Sequence, residues 1–282
     1  MKILVTGVMG QLGHDVTEEL EKNNIEYISC DREEFDLTDK DATEKFILER
    51  KPDGVIHCAA YTAVDKAEDE EELCRKINAE GSLYVAEACE KIGAKMIYVS
   101  TDYVFGGDGD KPYEPEDEKN PQNVYGKTKL EGENNALRNC SKTFIVRTSW
   151  VYGINGNNFV KTMRRLAETR NELSVVSDQI GSPTYTRDLA KLLVEMIKTE
   201  KYGVYHASNE GFISWAEFAE MIMKKSDLGT KINHIPTSEY PVKAKRPLNS
   251  RLSKKCLTDN GFSLLPSHDD ALERYIEELN KQ

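Results

Sequence analysis

Residues 3–13 read Ile-Leu-Val-Thr-Gly-Val-Met-Gly-Gln-Leu-Gly, and this stretch decides the fold. A short apolar run leads into Gly7, Gly10 and Gly13, and a helical pattern runs over residues 11–23. Glycines in such a strand–turn–helix allow a tight turn, close approach of the backbone to a pyrophosphate, and close packing of the helix on the sheet. The spacing is Gly-x-x-Gly-x-x-Gly, and glycines also occur in plain structural turns. The strand–turn–helix context favours a dinucleotide-binding unit.

Short apolar strands alternate with helical patterns through the first 150 residues. Outward from the glycine turn, the predicted strands lie at 25–29, 54–57, 96–99 and 144–146, and the predicted helices at 39–50, 69–92 and 125–137. Such alternation is typical of a parallel sheet covered by helices on both faces. We therefore predict an α/β fold with a Rossmann-type, doubly wound parallel sheet.

The alternation loosens after Trp150, at the turn-rich residues 155–158. Beyond this joint the patterns predict helices at 159–168 and 187–199, strands at 173–176 and 204–206, and a helix that begins at the capping-box pair Ser214 and Glu217. We predict a dinucleotide-binding core at residues 1–150, joined by a further strand and helix from about 184–207. A smaller, interleaved substrate-binding region occupies mainly residues 151–282.

Composition excludes several classes of function. The 282-residue chain has a net charge of -11 at pH 7, whereas a nucleic-acid partner requires a basic face. No apolar stretch approaches the length that spans a bilayer, and Met1-Lys2 leads into a strand instead of a signal peptide. The six cysteines are scattered, which favours free thiols, although their even number also allows disulfides. We expect a cytoplasmic protein that binds neither nucleic acid nor membrane.

Tyr125 and Lys129 lie four residues apart in a predicted helix, so their side chains share one face. A phenol titrates near pH 10, and a neighbouring ammonium lowers its pKa towards the range of an acid–base catalyst. Thr101 ends the fourth strand, where open α/β sheets bind ligands, and its hydroxyl is suited to a substrate carbonyl. Asp102 beside it is a second polar contact or a loop acid. We predict Thr101, Tyr125 and Lys129 as catalytic residues.

The predicted cofactor site extends beyond the glycine turn. Asp31, just past the second strand, is placed to bind the adenosine ribose hydroxyls, which favours NADH. Its neighbour Arg32 is suited to a 2′-phosphate, so NADPH stays open as an alternative. The predicted cofactor-binding residues are Gly7, Gly10, Gln11, Leu12, Gly13, Asp31, Asp36, Leu37, Ala60, Tyr61, Thr62, Tyr125 and Lys129.

Together these residues resemble the extended short-chain dehydrogenase/reductases over the whole chain. The shared pattern is the glycine spacing at 7–13, the pair Ser100-Thr101, and Tyr125 with Lys129. The resemblance narrows to the dTDP-4-dehydrorhamnose reductases through residues 62–68, 100–105, 123–129, 147–152, 156–159, 178–184 and 246–252. It implies reduction, by NAD(P)H, of the 4-keto group of dTDP-4-dehydro-L-rhamnose to dTDP-L-rhamnose, a cell-envelope sugar donor.

The resemblance also implies roles for single residues. Tyr125 donates a proton to the sugar oxygen as hydride arrives from nicotinamide C4. Lys129 holds the nicotinamide ribose and lowers the Tyr125 pKa, and Asn78 supports the lysine. The implied substrate-binding residues are Thr101, Asp102, Trp150, Asn158, Arg246 and Asn249. Trp150 packs against the sugar, although an ordinary core aromatic is the alternative, and the last three lie towards the nucleotide end.

Some members of this family dimerise through a magnesium ion held by acidic residues. Asp15 matches the first of these positions, but Arg187 occupies the second. The five histidines show no metal-ligand spacing. We therefore predict no metal, and a monomer or weak homodimer.

Two alternatives stay open at this point. A nucleotide-sugar 4,6-dehydratase or epimerase has the same fold, but such a dehydratase carries a glutamate where this chain has Tyr103, and epimerases usually have a larger substrate region. The other alternative is a non-catalytic regulatory subunit of the methionine adenosyltransferase type, which keeps the fold and the dinucleotide pocket. The intact Thr101, Tyr125 and Lys129 favour catalysis.

Overall fold

The computed structural model describes residues 1–281. Its strands, in chain order, are β1 (Lys2–Thr6), β2 (Glu26–Cys30), β3 (Gly54–His57), β4 (Lys95–Thr101), β5 (Thr143–Thr148), β6 (Val151–Tyr152), β7 (Glu172–Val176), β8 (Ile180–Gly181), β9 (Thr184–Tyr185), β10 (Gly203–His206), β11 (Ile213–Ser214) and β12 (Lys231–Ile235). Its α-helices are α1 (Gln11–Lys22), α2 (Lys40–Arg50), α3 (Val64–Ala67), α4 (Glu71–Arg75), α5 (Gly81–Ile92), α6 (Val124–Asn139), α7 (Phe159–Ala167), α8 (Thr186–Ile197), α9 (Trp215–Lys225), α10 (Lys255–Asp259) and α11 (His268–Leu279).

The central sheet has six parallel strands in the order β10-β5-β4-β3-β1-β2. This confirms the predicted doubly wound parallel sheet. The chain runs from β1 to β2 at one edge and then returns to β3 on the other side of β1. The carboxyl ends of β1 and β3 therefore flank the point where the strand order reverses, which is where open α/β sheets bind ligands.

Helices cover both faces of this sheet because its strands are apolar on both sides. Ile3 and Val5 pack in one buried cluster with residues of α1 and α8, whereas Leu4 between them packs in another cluster with residues of α2 and α5. Helix α8 and strand β10, from residues 186–206, thus belong to the sheet and its cover. The domain boundaries given above stay a prediction.

A third buried cluster lies in the C-terminal region, and it combines aliphatic with aromatic side chains. Tyr152, Phe218 and Tyr275 are among its fully buried members, which come from β6, α9 and α11. Three two-stranded pairs surround it, β6 with β9, β8 with β11, and β7 with β12. The capping box predicted at Ser214 and Glu217 is confirmed and begins α9.

The predicted helix at 69–92 is divided into three parts. A π-helical segment, Lys76–Glu80, joins α4 to α5. Within it, the Asn78 side chain accepts a hydrogen bond from the Tyr61 backbone N–H at 2.8 Å and donates one to the Tyr61 carbonyl at 3.2 Å. A π-turn often marks a functional site, because it displaces one residue of the helix to make such a contact.

Candidate active site

One cavity of about 870 Å³ lies at the carboxyl ends of β1, β4 and β5. Most of the residues predicted for cofactor and substrate line it. These are Gly7, Gly10, Gln11, Leu12, Gly13, Asp31, Asp36, Leu37, Ala60, Thr62, Thr101, Asp102, Tyr125, Lys129 and Trp150. Residues up to 143 positions apart in the sequence, Gly7 and Trp150, therefore meet around one space.

The glycine turn has no room for side chains. Gly7 has a φ of +70°, and a Cβ there would lie 2.8 Å from the Ala59 backbone. A Cβ on Gly13 would overlap the Gly7 carbonyl oxygen. Gly10 is the N-cap of α1 and provides no side-chain cap for the first N–H groups of this helix. The turn and the helix N-terminus therefore fit a pyrophosphate.

Asp31 ties the glycine turn to the end of β2. Its carboxylate accepts hydrogen bonds from the backbone N–H of Met9 at 3.0 Å and of Arg32 at 2.9 Å. Arg32 is exposed and also lines the cavity. The adenosine end of a dinucleotide would thus meet one carboxylate and one guanidinium side by side.

The catalytic pair lies on α6, which begins with a side-chain cap from Asn123. The buried Lys129 donates from Nζ to the Val99 carbonyl at 2.8 Å and lies 4.0 Å from the centre of the Tyr98 ring. Burial lowers the pKa of Lys129 to about 7.

The pKa of Tyr125 moves upward, not downward as the sequence argument expected. Removal of water from the phenol raises its pKa above the usual value. A hydrogen bond to Thr101 offsets part of this rise, while the Lys129 ammonium donates to the Val99 carbonyl. Tyr125 is therefore held as the neutral phenol, which is the form that a proton donor requires.

Thr101 and Asp102 form a linked polar pair at the end of β4. The Thr101 hydroxyl donates to Asp102 Oδ1 at 2.9 Å and accepts from the Tyr103 backbone N–H at 3.2 Å. Asp102 is buried, and its Oδ2 forms no hydrogen bond of normal geometry among residues 1–281. Burial raises the pKa of Asp102 to about 6, although the Ser250 hydroxyl lies close enough to the carboxylate to oppose this rise. A buried oxygen without a partner at a cavity wall fits a ligand that brings a donor, such as a sugar hydroxyl.

Two predicted residues lie behind the cavity wall. Tyr61 packs among buried residues of α3, α4 and α6, and its hydroxyl donates to Glu70 at 2.7 Å. Asn158 caps α7, and its amide donates to Gln11 Oε1 at 3.0 Å and to the Gly153 carbonyl at 2.8 Å. Their side-chain groups are occupied by the protein itself in this structure.

Two more predicted residues lie in the loop before α10. Arg246 donates to Asp65 at 2.5 Å and to the Tyr103 hydroxyl at 3.1 Å. Asn249 is buried and donates to the Lys111 carbonyl at 2.8 Å. Arg246 reaches the cavity only through Tyr103, which lines it.

The hydrogen bonds of the Asn78 side chain go to residues near Lys129 and not to Lys129 itself. Besides its bonds to Tyr61, its amide donates to the Thr128 hydroxyl at 3.2 Å. Thr128 precedes Lys129 on α6, and its hydroxyl donates to the Tyr125 carbonyl at 3.0 Å. The amide thereby joins the π-helical segment to the turn of α6 that carries the catalytic pair.

Sequence reasoning missed a buried ion pair beneath the site. Arg147 donates to both carboxylate oxygens of Glu133, at 2.8 and 2.7 Å, and both residues are 2% exposed. Ser100 donates to the same carboxylate at 2.5 Å. Two signals were available: Arg147 follows the apolar residues 144–146 of β5, and Glu133 lies one further turn along the face that carries Lys129.

Trp215 is a second residue that the sequence did not indicate. It lines the cavity and stacks on Trp150, with ring centroids 3.7 Å apart and an interplanar angle of 13°. The two residues lie far apart in the chain, so no spacing rule connects them. Their only shared signal is that they are the two tryptophans of the sequence.

The residues at the two magnesium-ligand positions, Asp15 and Arg187, take part in hydrogen bonds and salt bridges within the protein. Asp15 is buried and accepts a hydrogen bond from the Thr186 hydroxyl. Arg187 pairs with Glu18 at 3.1 Å and with Glu278. Throughout the described chain, no group of His, Cys, Asp and Glu side chains has the arrangement of a metal site.

Two further features bear on the expectations from composition. All six cysteines, each within the described range, are free thiols, which removes the disulfide alternative. Of the helices in residues 1–281, none is long and apolar enough to cross a membrane.

Comparison with known proteins gives the family. The chain matches the family model described as RmlD substrate binding domain over residues 1–281. It belongs to this family. Among curated relatives it is similar to the spore coat polysaccharide biosynthesis protein SpsK of Bacillus subtilis strain 168, with 42% identity over 278 residues, which are 98% of this chain and 97% of that protein.

Solved structures of the family are equally similar. A dTDP-4-dehydrorhamnose reductase from Clostridium acetobutylicum is 44% identical, with a TM-score of 0.97 and coverage of 99% of this chain and 100% of that chain. A dTDP-4-dehydrorhamnose reductase from Bacillus anthracis, in complex with NADP, is 43% identical, with a TM-score of 0.96 and coverage of 98% and 99%. The family predicted from the sequence motifs is therefore confirmed.

Proposed function

We propose that the chain is an NAD(P)H-dependent oxidoreductase that reduces the 4-keto group of dTDP-4-dehydro-L-rhamnose to dTDP-L-rhamnose. The relatives named dTDP-4-dehydrorhamnose reductase support the substrate, and the NADP complex of one of them supports a nicotinamide cofactor. The observation that carries the proposal is that Thr101, Tyr125 and Lys129 line the same cavity as the glycine turn.

The glycine turn and α1 hold the pyrophosphate in this proposal, and Ala60 and Thr62 lie along the dinucleotide. Lys129 holds the nicotinamide ribose, which requires that its Nζ exchange or share the bond to the Val99 carbonyl. The nicotinamide, when bound, supplies a hydride to the keto carbon. Burial lowers the pKa of Lys129 to about 7, and hydrogen bonds from its ammonium to the ribose hydroxyls would favour the protonated form.

Tyr125 supplies the proton that balances the hydride. The π bond of the carbonyl is replaced by a C–H and an O–H bond while the C–O single bond stays, and the phenol becomes a phenolate that takes up a proton before the next turnover. Thr101 orients the carbonyl, and the unpartnered Asp102 Oδ2 accepts from a sugar hydroxyl. Trp150 packs against the sugar.

The nucleotide end of the substrate is the role we propose for Asn158, Arg246 and Asn249. Their side chains already bond to protein groups. Direct contact with the nucleotide therefore requires exchange of these bonds. Arg246 and Asn158 each contact a side chain of the cavity wall, Tyr103 and Gln11 respectively.

We propose that NADH is used through Asp31, with NADPH accepted through Arg32. The carboxylate binds the ribose hydroxyls of NADH, and the guanidinium neutralises the 2′-phosphate of NADPH. Asp31→Ala should raise the KM for NADH more than that for NADPH, and Arg32→Ala should do the reverse. Equal KM changes for both cofactors in either variant would contradict this assignment.

For its setting, we propose a cytoplasmic enzyme that is a monomer or a weak homodimer. Free thiols fit a reducing compartment, in which reduced nicotinamide is also regenerated. Sedimentation of the purified protein over a range of concentrations tests the oligomeric state.

The decisive experiment follows NADH and NADPH absorbance with purified protein and enzymatically prepared dTDP-4-dehydro-L-rhamnose. Tyr125→Phe removes only the proton donor, so kcat should fall by about 10²–10⁴-fold while thermal stability stays close to that of the wild type. Tyr113→Phe is a control, because this tyrosine lies outside the cavity lining.

Each result of this experiment has a defined meaning. Oxidation that depends on the keto-sugar and collapses in Tyr125→Phe supports the reductase. Binding of dinucleotide without any oxidation overturns it and leads to other keto-sugars and to the regulatory-subunit alternative. A cofactor that stays bound through turnover would instead favour an epimerase.

A further inference from the structure

Both tryptophans of the chain stand together in the wall of the cavity. Trp150 and Trp215 are the only two in the sequence, and both are partly exposed to the cavity. Their rings are stacked, with centroids 3.7 Å apart and planes inclined by 13°. Buried aromatic pairs usually complete a core, whereas this pair keeps surface available to a ligand.

The backbone of Trp150 is in a conformation that a bulky residue rarely adopts. Its φ is +49°, in the left-handed region that favours glycine. Such a conformation persists only where the surroundings hold it, and it is concentrated at functional sites. The backbone carbonyl of Trp150 accepts from the Thr184 N–H at 3.1 Å, and the indole packs against Trp215.

Trp215 is itself held in place by independent contacts. It is the first residue of α9 and lies within the capping box that Ser214 and Glu217 form. Its ring also packs on Phe159, with centroids 4.5 Å apart. Strand β11, which leads into Trp215, pairs with β8, so Ser214 lies opposite Ile180.

Strand β8 also determines the position of the first indole. A Cβ on Gly181 would lie 2.8 Å from Trp150 Cε2 and 2.9 Å from the Ser250 Cβ. The residue at this position must therefore be glycine if the Trp150 ring is to lie where it does. One two-stranded pair thus carries both the residue that admits Trp150 and the residue that precedes Trp215.

We propose that Trp215 is a positioning and specificity-determining residue, which holds the Trp150 indole in place and forms with it an aromatic wall for the apolar side of the keto-sugar. This inference rests on the proposed function for the identity of the sugar. A 6-deoxyhexose has a methyl group and ring C–H groups that bury well against indole, while its hydroxyls face Thr101 and Asp102 on the polar side of the cavity.

The aromatic wall contributes to substrate binding, and its loss does not move the catalytic residues Thr101, Tyr125 and Lys129. Trp215 does not belong to the set that holds the dinucleotide or donates the proton. Its loss should therefore raise the KM for the keto-sugar while kcat and the KM for NADPH change little. An aromatic pair contributes about 0.5–1.5 kcal/mol, which corresponds to a rise in KM of about 2–13-fold.

The test uses the full chain and four variants. Trp215→Ala removes the ring, and Trp215→Phe keeps an aromatic ring. Gly181→Ala places a methyl group against the Trp150 indole from the side of β8. Phe212→Ala is the control. Phe212 is 42% exposed in the same segment and does not line the cavity. We expect KM for the keto-sugar to rise about 10-fold in Trp215→Ala and in Gly181→Ala, about 2-fold in Trp215→Phe, and not at all in Phe212→Ala.

A binding measurement makes the test independent of turnover. Because the chain has two tryptophans, its fluorescence comes from this wall when it is excited at wavelengths that tyrosine hardly absorbs. Titration with dTDP-L-rhamnose should quench it in the wild type, and NADP⁺ without sugar should quench it less. The near-UV circular dichroism of the stacked pair should disappear in Trp215→Phe while the far-UV spectrum is unchanged.

Unchanged KM and unchanged affinity for dTDP-L-rhamnose in both Trp215 variants would overturn the inference. So would an equal rise in the KM for NADPH, because that would indicate general damage. If dTDP-L-rhamnose quenches the fluorescence of the wild type but no keto-sugar is reduced, the proposed function is wrong and the inference about the aromatic wall is still supported. Should Trp215→Ala not fold, Trp215→Phe and Gly181→Ala decide by the same measurements.

Discussion

The sheet that carries the cofactor turn and the aromatic C-terminal region are built by different means. In the sheet, strands of four to seven residues pair in parallel, and site residues such as Asp31, Thr101 and Tyr125 lie at the end of a strand or at the start of a helix. In the C-terminal region β6, β8, β9 and β11 have two residues each, and contacts between distant residues hold the region together. The central sheet therefore follows from the local pattern of the sequence, whereas the C-terminal region depends on side-chain contacts between distant elements.

Charged pairs show the same contrast. Arg147 and Glu133 beneath the sheet end are both 2% exposed. Where α11 of the C-terminal region meets α8, Arg274 donates two hydrogen bonds to the buried Asp188, at 3.0 and 2.7 Å, but the arginine side chain itself is 35% exposed. Water therefore screens the second pair, and not the first.

The largest expected effect on the free energy of unfolding comes from removing the arginine of each of these two ion pairs. Arg147→Met leaves Glu133 buried without its partner and should lower the free energy of unfolding by about 3–5 kcal/mol. Arg274→Met leaves Asp188 with a hydrogen bond from Asn209 and removes an arginine that was itself partly solvated, and should cost about 1–3 kcal/mol. Urea denaturation of both variants measures the difference.

A matched surface pair provides the control for this series. Arg75 and Glu131 also form an arginine–carboxylate pair, but each side chain is 40% exposed. Arg75→Met should change the free energy of unfolding by about 0–1 kcal/mol. Equal losses in the free energy of unfolding in Arg147→Met and Arg274→Met would contradict the proposed contrast between the buried pair and the partly exposed pair.

The next effect compares one glycine from each region. Gly13→Ala places a methyl group against the Gly7 carbonyl and should destabilise the protein by about 1–3 kcal/mol, with a loss of dinucleotide affinity. Gly229→Ala meets no atom within 4 Å and should leave both unchanged or stabilise the fold by about 0.4–1 kcal/mol. Thermal unfolding and a dinucleotide titration are the measurements. Tight dinucleotide binding by Gly13→Ala would contradict the role of the turn.

The last effect is a pH dependence that belongs to the sheet. Burial lowers the pKa of His57 in β3 and of His206 in β10 to about 3. Between pH 6.5 and 3 the unfolded chain binds protons at these residues and the folded chain does not, so the free energy of unfolding falls as pH falls. The loss is about 1.4 kcal/mol per pH unit for each histidine.

Urea denaturation between pH 7 and pH 4.5 measures this slope, and His206→Gln should reduce it. Asp102 works in the opposite direction, because its raised pKa, about 6, makes the folded state bind a proton that the unfolded chain has lost above about pH 4. Asp102→Asn should therefore steepen the loss on acidification. A slope that is unchanged in His206→Gln would show that this residue does not stay neutral in the folded protein.

Much of the cofactor site was predictable because its signals are local. Gly7, Gly10 and Gly13 lie in one turn, and Tyr125 and Lys129 lie on one helix face, so their spacing alone placed them together. Asn158 and Arg246 were harder, because their partners Gln11 and Asp65 come from distant parts of the chain. The roles of these residues towards ligands stay predictions.

By itself, the sequence determined the alternation of strands and helices, the glycine turn and the catalytic pair, since each depends on neighbours within about one element. Only the tertiary structure decided that Trp215 stacks on Trp150, that Arg147 is neutralised by Glu133, and that the phenol of Tyr125 stays neutral. These properties depend on burial and on contacts between residues that the chain brings together after folding, and no local spacing encodes how much water a group has lost.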